Sequence, residues 1–160
     1  MTNLAVENAI KGLGIGFERA NVGDRYVLEL LKQKGWIIGG EGSGHLLCLD
    51  QHSTGDGTIA ALQVLAAMSQ AKKSLAQLLD SVNIFPQVLL NMKFKAGYDW
   101  KTDNTLKSKI SQVESDLKGT GRVLIRASGT EPVLRVMVEA QDGNVAMSAA
   151  KGIADLIPKS

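Results

Sequence analysis

The sequence predicts an α/β region with a mixed sheet and covering helices, followed by a smaller α+β region. In the first half, helical patterns alternate with short apolar runs, which is typical of helices layered on a sheet. In the second half, three stretches alternate apolar and polar residues beside two helical patterns, which indicates an antiparallel sheet with helices on one face. The run from Asn83 to Pro86 breaks both patterns, so we expect two domains, 1–82 and 83–160.

The elements of the first region follow from apolar spacing and from glycine stops. One strand, Trp36 to Ile38, is wholly apolar and should be buried. The helix at 58–71 is apolar almost all round, so most of its faces should be covered. We expect helices at 4–13, 23–34, 58–71 and 75–82, and short strands at 16–20, 36–38 and 46–49.

The second region shows clearer strand signals. Val88 to Phe94 alternates apolar with polar or longer side chains, which favours a strand with one dry and one wetter face. A further strand at 122–127 and another at 133–138 flank a polar turn. Helices are expected at 102–118 and 144–157, where they can cover the sheet.

The polar turn between the last two strands has the residues of a phosphate-binding loop. Gly129 lies between Ser128 and Thr130, so the backbone can turn its N–H groups toward one point while both hydroxyls add donors. Arg126 and Arg135 flank this point, and a guanidinium binds phosphate oxygens bidentately. The alternative is a simple polar hairpin turn, which Pro132 would suit and in which a neighbouring acid pairs with an arginine.

A second polar set occurs in the glycine-rich run from Gly39 to His45. Glu41, Ser43 and His45 fall at alternate positions, so in an extended loop they would project to one side. A carboxylate, a hydroxyl and an imidazole suit the hydroxyl groups of a sugar, and the imidazole can also move a proton near neutral pH. The alternative is a connecting loop with a structural histidine.

Composition excludes several classes. No apolar stretch is long enough to cross a bilayer, and the first residues lack a secretion signal, so the cytoplasm is expected. A net charge of +2 and 4% aromatic residues argue against a nucleic-acid or membrane surface. Cys48 is the only cysteine, so no internal disulfide can form, and we expect it to be packed in a strand.

Taken together, the two polar sets and their order resemble the α-D-phosphohexomutase superfamily, and within it the bacterial branch that acts on amino-sugar phosphates. The resemblance covers nearly the whole chain. Besides the two sets, it rests on four further runs: Gly23 to Val27, Thr54 to Gly57, Gln63 to Leu65, and Phe85 to Gln87.

This resemblance implies roles for individual residues. Glu41 and Ser43, with His45 beside them, would bind sugar hydroxyls in the third of four domains, and Asp24 and Arg25 would lie near the substrate. Asp24 could instead simply cap the N-terminus of a helix. In the fourth domain, the phosphate that is not transferred would be held by Arg126, Ser128, Gly129, Thr130 and Arg135.

The resemblance also implies that the chemistry lies elsewhere. The family transfers phosphate from a phosphoserine in a Ser-His-Asn context and binds magnesium through an Asp-Gly-Asp-x-Asp-Arg loop, and this sequence contains neither. We therefore expect a C-terminal part that lacks the first strand and helix of the third domain, binds sugar phosphate, holds no metal and is inactive without the N-terminal domains. A phosphomannose or phosphoglucose mutase fragment and a stand-alone sugar-phosphate binding module remain open.

Overall fold

The computed structural model describes residues 1–95, 97–128 and 131–158. The chain forms two compact units, Met1–Asn83 (unit 1) and Ile84–Ser160 (unit 2). The predicted combination of helices and small sheets is confirmed, and unit 2 is an antiparallel sheet with helices on one face. The sheet of unit 1 is not the mixed sheet expected, because in the residues described its two strands pair only as an antiparallel hairpin. Among the residues described, no helix is long and apolar enough to cross a membrane.

Unit 1 contains four helices and one antiparallel hairpin. Glycine ends the second helix at Gly35 with φ +66°, a left-handed conformation that costs glycine little. Asp56 begins the third by accepting the N–H groups of Thr58 and Ile59 at 2.8 and 2.9 Å. The elements are α1 (Leu4–Gly12), α2 (Asp24–Lys34), β1 (Ile38–Gly40), β2 (Leu46–Cys48), α3 (Gly57–Ala71) and α4 (Leu75–Leu79).

The hairpin and α2 pack closely enough to fix the loop between the strands. β1 and β2 are antiparallel, with Gly40 opposite Leu46. A side chain at Gly39 would collide with Val27 and Leu31 of α2, so glycine allows the helix to lie against the strand. Cys48 is 6% exposed in β2, which confirms the prediction of a packed strand residue.

Three expectations for unit 1 are wrong in detail. Residues 16–20 form no strand, because the segment runs along the Trp36 ring at Gly16 instead of pairing with another strand. The strand expected at 36–38 begins only at Ile38, whose side chain is exposed. No residue of α3 is buried, since β2 is the element of this unit that it mainly contacts.

In the described part of unit 2, three strands form an antiparallel sheet in the order β3-β5-β4. Each helix begins with an aspartate, Asp103 or Asp142, that accepts backbone N–H groups of the first turn. The elements are β3 (Gln87–Lys93), α5 (Asn104–Asp116), β4 (Gly121–Ala127), β5 (Val133–Ala140) and α6 (Gly143–Ala154).

The core of unit 2 lies between the sheet and its two helices. The central strand contributes three fully buried residues, Leu134, Val136 and Val138. They pack with Leu106 of α5 and Ile153 of α6. Because side chains alternate along a strand, the opposite face carries the intervening residues. This outer face consists of Gln87, Leu89, Asn91 and Lys93 in β3, Arg122, Leu124 and Arg126 in β4, and Val133, Arg135, Met137 and Glu139 in β5.

Candidate functional site

The loop between β1 and β2 is a closed turn. The Glu41 N–H donates to the His45 carbonyl at 2.9 Å, and the Gly44 N–H donates back to the Glu41 carbonyl at 3.0 Å. Gly44 has φ +91°, which favours glycine. The loop is therefore not the extended segment predicted from the sequence, so alternation does not set the direction of its side chains. Ser43 lies exposed at the tip.

The turn brings Glu41 and His45 to the start of α2. The Glu41 carboxylate accepts the N–H of Gly23 at 2.8 Å, and the positive end of the helix dipole favours its charge. His45 Nδ1 lies 3.7 Å from Asp24 Oδ2, an ion pair when the imidazole is protonated. Asp24, Glu41 and His45, the hairpin cluster, are all partly accessible to solvent.

Asp24 and Arg25 differ in their relation to this cluster. The cap residue of α2 is Gly23, with φ +127°, and Asp24 is the first residue of the helix, where its Oδ1 accepts the N–H of Arg25 at 2.8 Å. Arg25 is 80% exposed and pairs with Glu29 at 2.8 Å, and this hydrogen bond raises the pKa of Arg25. The structure thus groups Asp24 with Glu41 and His45, whereas Arg25 pairs along its own helix.

Gly55 belongs beside the hairpin cluster, although sequence reasoning gave it no role. A Cβ atom at this position would overlap the His45 ring, so the imidazole lies directly on the backbone of the loop before α3. The signal in the sequence was the run Thr54 to Gly57, which contributes to the family resemblance but to which we assigned no site residue. Glycine here lets two separate loops meet at His45.

A cavity of about 510 Å³ lies next to Glu41 in unit 1. Its walls are mainly apolar and include Ile10, Phe17, Leu30 and Trp36. Polar side chains also line it, among them Arg19, Asn21 and Glu41, so the cavity offers hydrogen-bond partners beside its apolar walls.

In unit 2, the predicted phosphate loop joins β4 to β5. The Ser128 N–H donates to the Val133 carbonyl at 2.8 Å and closes the hairpin. Gly129 and Thr130, the other two loop residues of the predicted site, lie outside the described residues. Arg126 and Arg135 face each other directly across the two strands on the outer face, and both are half-buried.

These two arginines differ from the other three in the chain. Arg19, Arg25 and Arg122 each form an ion pair with a glutamate. Arg126 and Arg135, the arginine pair, have no carboxylate within 4.0 Å among the described residues, and no ion pair is formed there by Glu131. No neighbouring acid therefore pairs with an arginine of this turn among the described residues, as the simple hairpin alternative would require.

A buried ion pair lies on the same sheet face. Glu139 is fully buried and receives two hydrogen bonds from Arg122, Nε to Oε2 at 2.7 Å and Nη2 to Oε1 at 2.9 Å. Glu139 is the only acidic residue in the three strands. Since Arg122 binds it, no strand carboxylate remains for the arginine pair. No local pattern in the sequence predicts this contact, because the two residues are seventeen positions apart.

The described residues contain no group of three histidine, cysteine, aspartate or glutamate side chains placed to hold a metal ion.

Comparison with known proteins identifies the class. Residues 1–85 match the α/β/α domain III of phosphoglucomutase/phosphomannomutase, and residues 89–156 match the C-terminal domain of the same family. The chain belongs to the phosphoglucomutase/phosphomannomutase family, and it carries these two domains.

Among curated relatives, the chain is similar to phosphoglucosamine mutases. It is 80% identical to that of Polynucleobacter asymbioticus over 99% of the chain, and 59% identical to that of Cupriavidus taiwanensis over 98% of the chain. The chain spans 35% of the length of each of these relatives.

Solved structures show the same fold. An N-acetylphosphoglucosamine mutase from Aspergillus fumigatus is 22% identical with a TM-score of 0.74, covering 93% of this chain and 35% of that one. An N-acetylglucosamine-phosphate mutase of the α-D-phosphohexomutase superfamily, in its substrate complex, is 18% identical with a TM-score of 0.74, covering 97% and 37%. The Aspergillus enzyme has also been solved with GlcNAc-6P and magnesium, at 20% identity and a TM-score of 0.70, covering 94% and 38%.

Proposed function

We propose that this chain is the C-terminal, substrate-binding part of a bacterial phosphoglucosamine mutase. The intact enzyme would interconvert glucosamine 6-phosphate and glucosamine 1-phosphate in the cytoplasm, on the route to UDP-N-acetylglucosamine and cell-wall precursors. The high identity to phosphoglucosamine mutases across nearly the whole chain supports this assignment.

The arginine pair is the observation that carries the proposal for unit 2. Two like charges directly opposite on neighbouring strands repel each other, and Cβ atoms at such positions lie about 4.5–5.5 Å apart. No acid among the described residues offsets this repulsion. A dianionic phosphate would offset it, because each guanidinium can donate two hydrogen bonds to phosphate oxygens. We assign to this pair, with Ser128, Gly129 and Thr130, the phosphate that is not transferred.

The hairpin cluster supports a separate role for unit 1. One oxygen of Glu41 accepts the Gly23 N–H, which orients the carboxylate and leaves its other oxygen available for a hydroxyl or amine. His45 can donate or accept, and Ser43 lies at the exposed tip of the same turn. We propose that Glu41, Ser43 and His45, with Asp24 and Arg25 nearby, bind the hydroxyl groups of the sugar.

We further propose that catalysis depends on the rest of the family enzyme. Covalent phosphoryl transfer needs a phosphorylated nucleophile and a metal to stabilise charge, and the residues that the family uses for both are absent from this sequence. Magnesium would be held outside this chain. We expect the 160-residue chain alone to show no mutase turnover with magnesium and sugar bisphosphate added, and turnover above that of an Arg126→Ala control would overturn this expectation.

An NMR titration tests the proposed binding function. Backbone amides of the isotope-labelled chain are followed while glucosamine 6-phosphate or inorganic phosphate is added. We expect saturable shifts around Ser128 with both ligands, lost in Arg126→Ala and kept in Lys107→Ala, which removes the same charge from an exposed position on α5. Shifts from Glu41 to His45 should appear with the sugar phosphate only. A well-folded spectrum without saturable shifts would contradict the proposal.

A further inference from the structure

A third cation lies beside the arginine pair on the outer face of unit 2. Lys93 is the last residue of the edge strand β3, is exposed, and lies opposite Val133, the first residue of β5. The next residue, Phe94, donates its N–H to the Pro132 carbonyl at 3.2 Å. The end of β3 is therefore attached to the loop that joins β4 to β5.

The register brings Lys93 within reach of the same anion. Arg135 lies two residues after Val133 on the same face, so Lys93 and Arg135 are diagonal neighbours with backbones about 7–8 Å apart. Both side chains are long enough to close that distance. Because Val133 adjoins the loop, Lys93 lies on the loop side of Arg135, where a phosphate held by the loop would bind.

No described carboxylate forms an ion pair with Lys93, and this includes Glu131 in the adjoining loop. Arg135 has Arg126 as its neighbour in β4 and Asn91 as its neighbour in β3, and Asn91 is neutral. Glu139, the only strand carboxylate, is bound to Arg122. The loop end of the outer face thus combines three cations with no strand acid.

We propose that Lys93 is a specificity-determining residue of the phosphate site, favouring a dianionic phosphomonoester over a singly charged anion. This inference rests on the proposed phosphate-binding function. A phosphomonoester carries about −1.5 to −2 at pH 7, whereas a phosphodiester carries one charge. Coulomb attraction scales with ligand charge, so removing one cation weakens a dianion about twice as strongly, in free energy, as a monoanion.

Methyl phosphate and dimethyl phosphate test this inference, since both are tetrahedral phosphate esters and the second methyl ester removes one negative charge. We expect Lys93→Met to weaken methyl phosphate binding by roughly three- to fivefold and dimethyl phosphate binding by about twofold or less, as for a partly screened charge. Lys107→Met serves as the matched control, because it removes the same charge from α5 on the opposite side of the sheet and should change neither affinity. Lys93→Arg should restore selectivity for methyl phosphate.

Different outcomes test the role of Lys93 and the proposed phosphate-binding function separately. If Lys93→Met matches Lys107→Met while Arg126→Ala abolishes methyl phosphate binding, the phosphate site stands and the role of Lys93 is wrong. Equal weakening of both ligands by Lys93→Met would also contradict the claim of charge selectivity. If the unsubstituted chain binds neither ligand, the proposed function fails and this inference fails with it.

Discussion

Replacing Arg122 by methionine tests how the outer face of unit 2 distributes its charges. The substitution keeps much of the side-chain length but removes both hydrogen bonds to the fully buried Glu139. Breaking a buried ion pair by removing one partner costs about 3–5 kcal/mol, because the remaining charge stays buried without compensation. For a domain of this size, total stability is about 4–12 kcal/mol, so we expect the substitution to remove about a quarter of it or more.

The assay follows unit 2 alone. The chain has two tryptophans, Trp36 in unit 1 and Trp100 in unit 2, so a Trp36→Phe background leaves Trp100 as the reporter during urea unfolding. A second variant, Arg122→Met with Glu139→Met, replaces the pair by apolar side chains of similar length. We expect this double variant to recover most of the lost stability, since such replacements are often neutral or stabilising.

Two results would refute this reasoning. A loss below about 1 kcal/mol in Arg122→Met would place the pair in the range of solvent-screened surface bridges. A double variant as unstable as the single one would show that the cost comes from lost packing of Arg122 and not from the isolated carboxylate. In either case Glu139 would not be the buried, fully committed acid that leaves the arginine pair unopposed.

Three further predictions concern the two sites and the start of α5. Arg126→Gln should raise the melting temperature of the phosphate-free chain slightly, because it relieves like-charge repulsion. It should also abolish the stabilisation by bound phosphate, which is about 2.7 kcal/mol at a phosphate concentration of 100 times Kd. Calorimetry measures both effects. Gly55→Ala should displace His45 and weaken the sugar-dependent NMR shifts while leaving those caused by inorganic phosphate unchanged. The hydrogen bond from the Leu106 N–H holds the pKa of Asp103 below its usual 3.8. The stability that Asp103 contributes is therefore complete above pH 3.8 and is lost as the pH falls through the lowered pKa. An Asp103→Ala variant should show a flatter pH dependence of urea unfolding over this acidic range.

The sequence predicted unit 2 well because its signals are local. Alternation along 88–94, 122–127 and 133–138 identifies each strand of one half-buried sheet, and the observed strands differ by one or two residues at their ends. The position of the predicted phosphate loop followed from the same pattern. What alternation does not give is register, so the ion pair between Arg122 and Glu139 and the proximity of Lys93 to Arg135 were not predicted.

Unit 1 was harder to predict, since its decisive contacts join distant segments. The hydrogen bond from the Gly23 N–H to Glu41 depends on α2 packing against Gly39, and the close approach of His45 to Gly55 depends on two loops meeting. Periodicity correctly indicated the helix α3, but burial requires neighbours that composition does not identify. The glycines of the 39–45 run suggested an extended loop, whereas backbone hydrogen bonds close it into a turn.

If the arginine pair binds phosphate, the side chains of Arg126 and Arg135 must themselves respond to the ligand. The Nε–H signals of all five arginines are followed by NMR while glucosamine 6-phosphate is added, with Arg19, Arg25 and Arg122, which are already ion-paired, as internal references. We expect the Arg126 and Arg135 signals to shift together and to saturate with one Kd, while the signals of the three reference arginines stay in place. Saturable backbone shifts without movement of these two signals, or equal shifts of all five, would contradict this expectation.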